Sequence, residues 1–215
     1  MRRPAAIDEI LRPRVLAVGA AVLAMTWLGP LPEMASRYFT AHMAMHVAVV
    51  AIAAPVLALA LGGLRADPAR RWPVLFHPLP ASVIELVVIW GWHSPALHHL
   101  SRHHGWALML EQTSFFAVSL LLWLSAFGGD PLQRAERTAA GIAGLLMTSM
   151  HMTLLGVLLA LAPRQLYGHL PATLDDQQWG GVLMLTGGGI SYLAGGLYLL
   201  LGLLKHREPS PGTPP

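Results

Sequence analysis

The sequence predicts an all-α, polytopic transmembrane bundle of about six helices, with both termini in the cytoplasm. Of its 215 residues 54% are hydrophobic and 12% are charged, and the mean hydropathy is +0.53. A soluble domain carries roughly 25% charged residues. Apolar runs long enough to cross a bilayer recur along the whole chain. The net charge of +3 does not indicate nucleic-acid binding, because the arginines stand in short segments between the apolar runs.

The apolar runs and the segments that interrupt them define the predicted elements. Residues 1–14 are basic and form a predicted cytoplasmic segment, residues 15–204 form the predicted six-helix transmembrane domain, and the Pro-rich tail 205–215 is predicted to be disordered. The first helix, at 15–31, is too long for the apolar part of a cleaved signal peptide. The other helices are predicted at about 40–64, 79–97, 105–128, 139–162 and 179–204.

Basic residues are distributed unevenly between the segments that join these helices. With the N-terminus in the cytoplasm, eleven of the fourteen Lys and Arg residues fall on the cytoplasmic side. Only Arg37, Arg102 and Arg164 fall on the outer side. This bias agrees with the rule that cytoplasmic loops are enriched in Lys and Arg. It therefore predicts that both termini are cytoplasmic.

A histidine pair opens the second predicted helix, in the segment HMAMH. His42 and His46 are four residues apart and share one helix face, and Met45 is three residues from His42. Polar groups within hydrocarbon are costly and are functional candidates by default. Because the chain has no cysteine, a metal would use His, Met or carboxylate, and imidazole with thioether suits copper, Cu(I) especially. The alternative is a pair of interfacial histidines that face headgroups or hydrogen-bond a neighbouring helix.

The predicted orientation places eight of the eleven histidines on or near the outer side. His93 would lie at about the depth of His42 and His46, either as a third ligand or as an interfacial anchor among tryptophans. Four further histidines stand in the segment 98–104. A short His-rich tract can capture metal, but for this segment alone we favour a solvated loop.

Two later helices carry polar side chains at membrane depth. His151 lies roughly 16 Å inside the outer end of the fifth helix, one turn from Met147, and must hydrogen-bond, bind metal or bind haem. Thr148 or Glu85 could instead satisfy its imidazole. Glu111 is a candidate metal ligand or proton partner, whereas Glu85 is interpreted as a polar contact between helices.

The last helix carries structural signals. Asp175 or Asp176 is predicted to cap its N-terminus, and Gly187, Ser191 and Gly195 repeat every four residues, as on a close-packed helix face. The chain has no Gly-rich phosphate loop, no Ser-His-Asp spacing and no HExxH motif. We therefore predict no catalytic residues and no enzymatic activity.

The segments HMAMH, WHSPALH, LEQTSFF, HMTLLGVLLALAPRQLY and LDDQQWGGVLM occur in that order over about residues 40–200. In this the sequence resembles the CtaG assembly family of caa3-type cytochrome c oxidases. The resemblance implies a bacterial membrane protein of several spans that is linked to making an active oxidase, with a role in copper-centre assembly. It also implies that His42, His46, His93 and His151 are motif positions. Where the family tends to have a Glu-His pair, this chain has Glu111-Gln112.

We therefore expect a multi-pass assembly factor of the bacterial inner membrane that binds copper, Cu(I) being favoured, near its outer face. Its expected partners are cytochrome c oxidase subunits and a periplasmic copper donor. The alternatives are a b-type haem electron carrier and a scaffold for oxidase subunits that binds no metal. The candidate metal ligands are His42, His46, His93, His151, Met45, Met147 and Glu111.

Overall fold

A computed structural model describes residues 5–62, 64, 67–129, 134–167 and 173–205. These residues form helices and connecting turns, and no strand occurs among them. A π-helical segment (Ala48–Ala53) joins the third and fourth α-helices. The α-helices are α1 (Ala5–Leu28), α2 (Leu31–Ala35), α3 (Phe39–Val47), α4 (Ala54–Leu61), α5 (Pro68–Arg71), α6 (Pro78–Trp92), α7 (Pro95–His103), α8 (Gly105–Phe127), α9 (Arg134–Ala160) and α10 (Leu174–Lys205).

The predicted all-α polytopic bundle is confirmed, with one of the six predicted spans shorter than expected. Among the described residues, five helices are long and apolar enough to cross a membrane; they are Leu11–Leu28, Phe39–Leu61, Gly105–Phe127, Ala135–Ala160 and Leu174–Leu204. The span predicted at 79–97 ends at Trp92, so that α6 has 15 residues and a length of about 22 Å. The hydrocarbon core is about 30 Å thick. Helix α1 begins at Ala5, within the predicted segment 1–14.

The break after α6 follows from Pro95. Proline disfavours helical backbone in the residue before it, and Ser94 is extended, with ψ 142°. Helix α7 starts at Pro95, which has no N–H and is tolerated in a first helical turn. The residues expected to form a loop between spans therefore form a separate helix at the end of the bundle.

The second span contains a π-helical segment, and proline explains part of its hydrogen bonding. Pro55 has no N–H to offer a preceding carbonyl, and the N–H of Ala54 bonds Val49 O, five residues back. The carbonyls of Val50 and Ala51 instead accept from side chains of neighbouring helices. Trp123 Nε1 of α8 donates to Val50 O at 3.1 Å, and Ser191 Oγ of α10 donates to Ala51 O at 2.7 Å.

The predicted small-residue face of α10 is confirmed as a packing surface. A Cβ at Gly187 would lie 2.6 Å from a methyl carbon of Val47, and a Cβ at Gly195 would lie 2.5 Å from the indole of Trp123. Both contacts require glycine. The close approach fixes α10 against the second span and α8.

Glu85 forms the predicted polar contact between helices. It is fully buried on α6. Ser119 of α8, Thr148 of α9 and Tyr192 of α10 donate to its carboxyl oxygens at 2.6, 3.1 and 3.3 Å. Four helices therefore converge on this one side chain.

The predicted N-cap at Asp175 or Asp176 is wrong, because α10 already begins at Leu174. Thr173 Oγ1 accepts from the backbone N–H of Asp176 at 3.2 Å and caps this helix. The Asp176 carboxylate instead caps α3, accepting from the N–H of Phe39 at 2.6 Å and of Thr40 at 3.2 Å. These two hydrogen bonds join distant parts of the chain and fix the N-terminus of α3, the helix that carries His42.

Candidate metal centre

Four buried histidines meet at one end of the bundle, and we call them the histidine cluster: His42, His46, His93 and His98. His42 and His46 lie one turn apart on α3, His93 follows α6, and His98 lies on α7. The rings of His42 and His98 are 5.2 Å apart and nearly perpendicular. The rings of His46 and His93 are also 5.2 Å apart, at 80°. The structure thus brings three of the predicted ligands together and adds His98.

The interpretation of 98–104 as a solvated loop is wrong, because helix α7 extends to His103 and its His98 side chain is buried. His98 and Ser101 face the bundle and are buried, whereas His99, His103 and His104 are exposed. Three-residue spacing on a helix puts His98 and Ser101 on the same face. The signal in the sequence is this spacing after Pro95, but the inward face of α7 is polar, so hydrophobic periodicity did not reveal it.

Three histidines of the cluster, His42, His46 and His93, have buried ring nitrogens without a hydrogen-bond partner among the described residues. Neither nitrogen of His46 has a partner among the described residues, and the same holds for His42 Nδ1 and His93 Nε2. His93 Nδ1 lies 2.7 Å from the carbonyl of Ile89. Because a carbonyl only accepts, Nδ1 carries the hydrogen and Nε2 carries the free lone pair. The cluster therefore offers basic nitrogen atoms in a space protected from water.

Glu111 of α8 lies beside the cluster. Arg102 Nη2 donates to its Oε2 at 2.9 Å, and Ser101 Oγ donates to its Oε1 at 3.1 Å. His42 Nε2 lies 3.5 Å from the same Oε1. Burial lowers the pKa of Arg102 while the nearby Glu111 raises it, and an arginine keeps its charge in proteins. Gln112, where the family resemblance implied a histidine, is buried next to this group.

Aromatic rings enclose the cluster. The Phe115 ring meets His46 edge to face at 4.5 Å. Tyr167, in the segment after α9, stacks on Phe39 at 5.0 Å and on His98 at 4.0 Å. Burial raises the pKa of Tyr167, so its hydroxyl stays protonated and donates to the backbone carbonyl of His93 at 2.8 Å. These contacts keep water from the imidazoles.

His151 lies deeper in the bundle. It is buried, and neither ring nitrogen has a partner among the described residues. Thr148, one turn earlier, bonds Ser82 and Glu85, so the alternative in which Thr148 or Glu85 satisfies His151 is wrong. At a rise of 1.5 Å per residue, His151 lies about 4.5 Å from Thr148 along the axis of α9, toward the C-terminal end of that helix.

Of the two methionines predicted as ligands, Met45 is fully buried and Met147 is half-buried. Met45 packs with Ala35 and Ala41 in a small apolar group of its own. Met147 is half-buried on α9, one turn before His151. His169, a further histidine of the predicted outer side, lies outside the described residues. Within the described ranges, no three His, Asp or Glu side chains form a group that could hold a metal ion in the positions seen.

Fold and site together define a polytopic α-helical membrane protein with buried histidines at one end of its bundle. A comparison with protein families matches residues 2–206 to the family described as cytochrome c oxidase caa3 assembly factor (Caa3_CtaG). The chain belongs to this family, and the resemblance seen in its motifs is confirmed. Membership supports a role in the assembly of cytochrome c oxidase. No curated protein and no solved structure matches the chain.

Proposed function

We propose that the protein binds copper, with Cu(I) favoured, at the histidine cluster and supplies it to a cytochrome c oxidase during maturation of a metal centre. The proposal places the protein in the bacterial inner membrane, with oxidase subunits as partners and a periplasmic protein as copper donor. It includes no catalytic turnover. Family membership supports the link to oxidase assembly, and the buried imidazoles support the copper step.

The observation that carries the proposal is the environment of His46. Its side chain is fully buried and both ring nitrogens lack partners among the described residues. A buried polar group without a hydrogen bond costs about 1–3 kcal/mol, so an ion that binds one nitrogen would remove part of this cost. The unpartnered Nε2 of His93 belongs to the adjacent ring, 5.2 Å away. Two buried imidazoles with unpartnered nitrogens therefore lie side by side.

The chemistry of the site favours copper over zinc. Structural Zn²⁺ is almost always held by four ligands, commonly with thiolates among them, and the chain has no cysteine. Cu(I) accepts low coordination numbers and suits neutral imidazole. Haem would need its macrocycle between two of the rings, and ring separations of 5.2 Å favour a bare ion.

A competition titration with a Cu(I) chelator tests the proposal on the full-length protein purified without a His-tag. His42→Ala, His46→Ala and His93→Ala should each weaken binding by at least about tenfold, since loss even of an outer-shell partner costs 10–100-fold. His77→Ala and His103→Ala are the matched controls, because both side chains are exposed, and should bind as the wild type does. Equal affinities for all six proteins would exclude the cluster as the copper site.

Two further readouts separate the alternatives. A Soret band in the purified protein would favour the b-type haem electron carrier, whereas the copper proposal predicts none. Normal oxidase activity in cells that carry His42→Ala or His46→Ala would favour the scaffold, in which these histidines play no part.

A further inference from the structure

Three side chains from two other helices contact the carboxyl group of Glu111, and their chemistry determines its ionisation state. It is fully buried on α8. Arg102 and Ser101 of α7 contact it at 2.9 and 3.1 Å, and His42 of α3 at 3.5 Å. A guanidinium only donates, and the 2.9 Å distance is that of a charge-assisted hydrogen bond. The guanidinium therefore holds Glu111 as a carboxylate, whose oxygens only accept. The single hydrogen of Ser101 Oγ is shared between Glu111 Oε1 and the carbonyl of His98, at 3.1 and 3.0 Å.

This arrangement determines which nitrogen of His42 carries a hydrogen. Glu111 Oε1 can only accept, and it lies 3.5 Å from His42 Nε2. It therefore favours the tautomer of His42 in which Nε2 carries the hydrogen. In a neutral imidazole the other nitrogen is then an acceptor, and Nδ1 is the atom that has no partner among the described residues. The unshared electron pair of His42 is thus directed away from Glu111.

His93 shows the opposite assignment for a different reason. Its Nδ1 donates to the backbone carbonyl of Ile89 at 2.7 Å, and its Nε2 lacks a partner among the described residues. Because a backbone carbonyl sets this tautomer, it does not depend on Glu111. His93 therefore serves as an internal reference for any experiment on His42.

We propose that Glu111 is a positioning residue: held by Arg102 and Ser101, it fixes the tautomer and ring orientation of His42 so that Nδ1 is the atom available to a metal ion. In many metal sites a carboxylate accepts a hydrogen bond from the nitrogen of a histidine that does not bind the metal. This bond raises the basicity of the nitrogen that does. Arg102 already occupies Oε2 of Glu111, and Oε1 faces His42 Nε2 at 3.5 Å, which assigns Glu111 this role and not that of a ligand. The proposal rests on the proposed function, since it names His42 as a copper ligand.

The test measures histidine tautomers by ¹⁵N NMR in the full-length, metal-free protein, with His42→Ala and His93→Ala to assign the two rings. In the wild type we expect hydrogen on Nε2 of His42 and on Nδ1 of His93. In Glu111→Gln, whose amide both donates and accepts, His42 should lose its single tautomer while His93 keeps its own. An unchanged His93 signal also reports that the variant is folded. Hydrogen on Nδ1 of His42 in the wild type, or an unaltered His42 in Glu111→Gln, would overturn the proposal.

Copper titration of the same variants provides the second readout. Glu111→Gln should lower Cu(I) affinity by roughly 10–100-fold, the usual loss for such a partner, and Glu111→Asp should restore part of it. A loss of affinity with no change in the His42 tautomer would place Glu111 among the ligands and refute its positioning role. If the wild type has the expected tautomers but binds no copper, the proposed function fails while the orienting contact to His42 stands.

Discussion

Glu85 shows how this protein keeps a carboxyl group inside its bundle. Its oxygens accept from Ser119, Thr148 and Tyr192, and Ser82 pairs in turn with Thr148 at 2.7 Å. No basic side chain contacts it among the described residues. Hydroxyl groups from several helices thus replace the counter-ion that a buried carboxylate usually needs. The residue stabilises the meeting point of the helices without belonging to the histidine cluster.

Replacing Glu85 should lower the free energy of unfolding, and the loss should be larger when the new side chain has fewer hydrogen-bond acceptors. Glu85→Leu leaves the buried hydroxyl groups of Ser119 and Tyr192 without their acceptor, at about 1–3 kcal/mol each, whereas Thr148 keeps its partner Ser82. Glu85→Gln keeps one acceptor oxygen and should cost less. Thermal unfolding in detergent, followed by tryptophan fluorescence, should therefore rank wild type above Glu85→Gln and Glu85→Leu lowest. Glu33→Gln is the control, because Glu33 is exposed. A Leu variant as stable as the wild type would show that these bonds contribute nothing.

At this scale the sequence predicted some side chains well and others not at all. His42, His46 and His93 could be placed together because helical spacing and a common depth are visible in the sequence. His98 and Arg102 could not, since their roles depend on α7 folding back onto Glu111, which the spacing of residues after Pro95 does not indicate by itself. Whether a polar side chain points into the bundle is decided by a tertiary contact.

At the scale of elements, α9 and α10 are in backbone contact where Gly156 and Gly181 face each other. A Cβ at Gly181 would clash with the backbone nitrogen of Ala160 and lie 2.8 Å from the carbonyl of Gly156. A Cβ at Gly156 would lie 3.1 Å from the carbonyl of Gly181. Backbone atoms cannot move aside as a side chain does, so this crossing depends on glycine.

Gly181→Ala should therefore destabilise the protein, because the two helices must separate to admit the methyl group, an overpacking that typically costs about 1–3 kcal/mol. Gly189→Ala on the same helix is the matched control, since nothing lies within 4 Å of its Cβ position. There alanine should be neutral or stabilise the helix by up to about 1 kcal/mol. Melting temperatures of both variants check the contrast, and equal shifts would show that the crossing tolerates a side chain.

The long helices were predictable from apolar runs, whereas their irregularities were not. The predicted spans at 40–64 and 105–128 agree closely with the observed Phe39–Leu61 and Gly105–Phe127. The π-helical segment escaped prediction because it depends on bonds from Trp123 and Ser191, which belong to distant helices. The cap of α3 by Asp176 spans 137 residues of sequence. Such bonds form only once the bundle is assembled.

At the scale of the whole molecule, the histidine cluster and the described basic residues Arg12, Arg70, Arg71 and Arg137 lie at opposite ends of the helices. The cluster is built from the start of α3, the end of α6, helix α7 and the start of α8. Two of the three basic residues predicted on this side are paired, Arg102 with Glu111 and Arg37 with Glu33 at 3.4 Å. Two of the three basic residues on the cluster side are thus neutralised by a neighbouring carboxylate.

This asymmetry predicts that the cluster faces the outside and both termini face the cytoplasm, because positively charged segments stay on the cytoplasmic side. The chain has no cysteine, so a single introduced cysteine reports its own side of the membrane. His103→Cys, exposed on α7, should react with a membrane-impermeant maleimide in spheroplasts, whose inner membrane is intact. His77→Cys, exposed before α6, should react only after the membrane is permeabilised, and a reporter fused after Arg207 should indicate cytoplasm. The reverse labelling pattern would invert the topology and place the histidines on the cytoplasmic side, out of reach of a periplasmic copper donor.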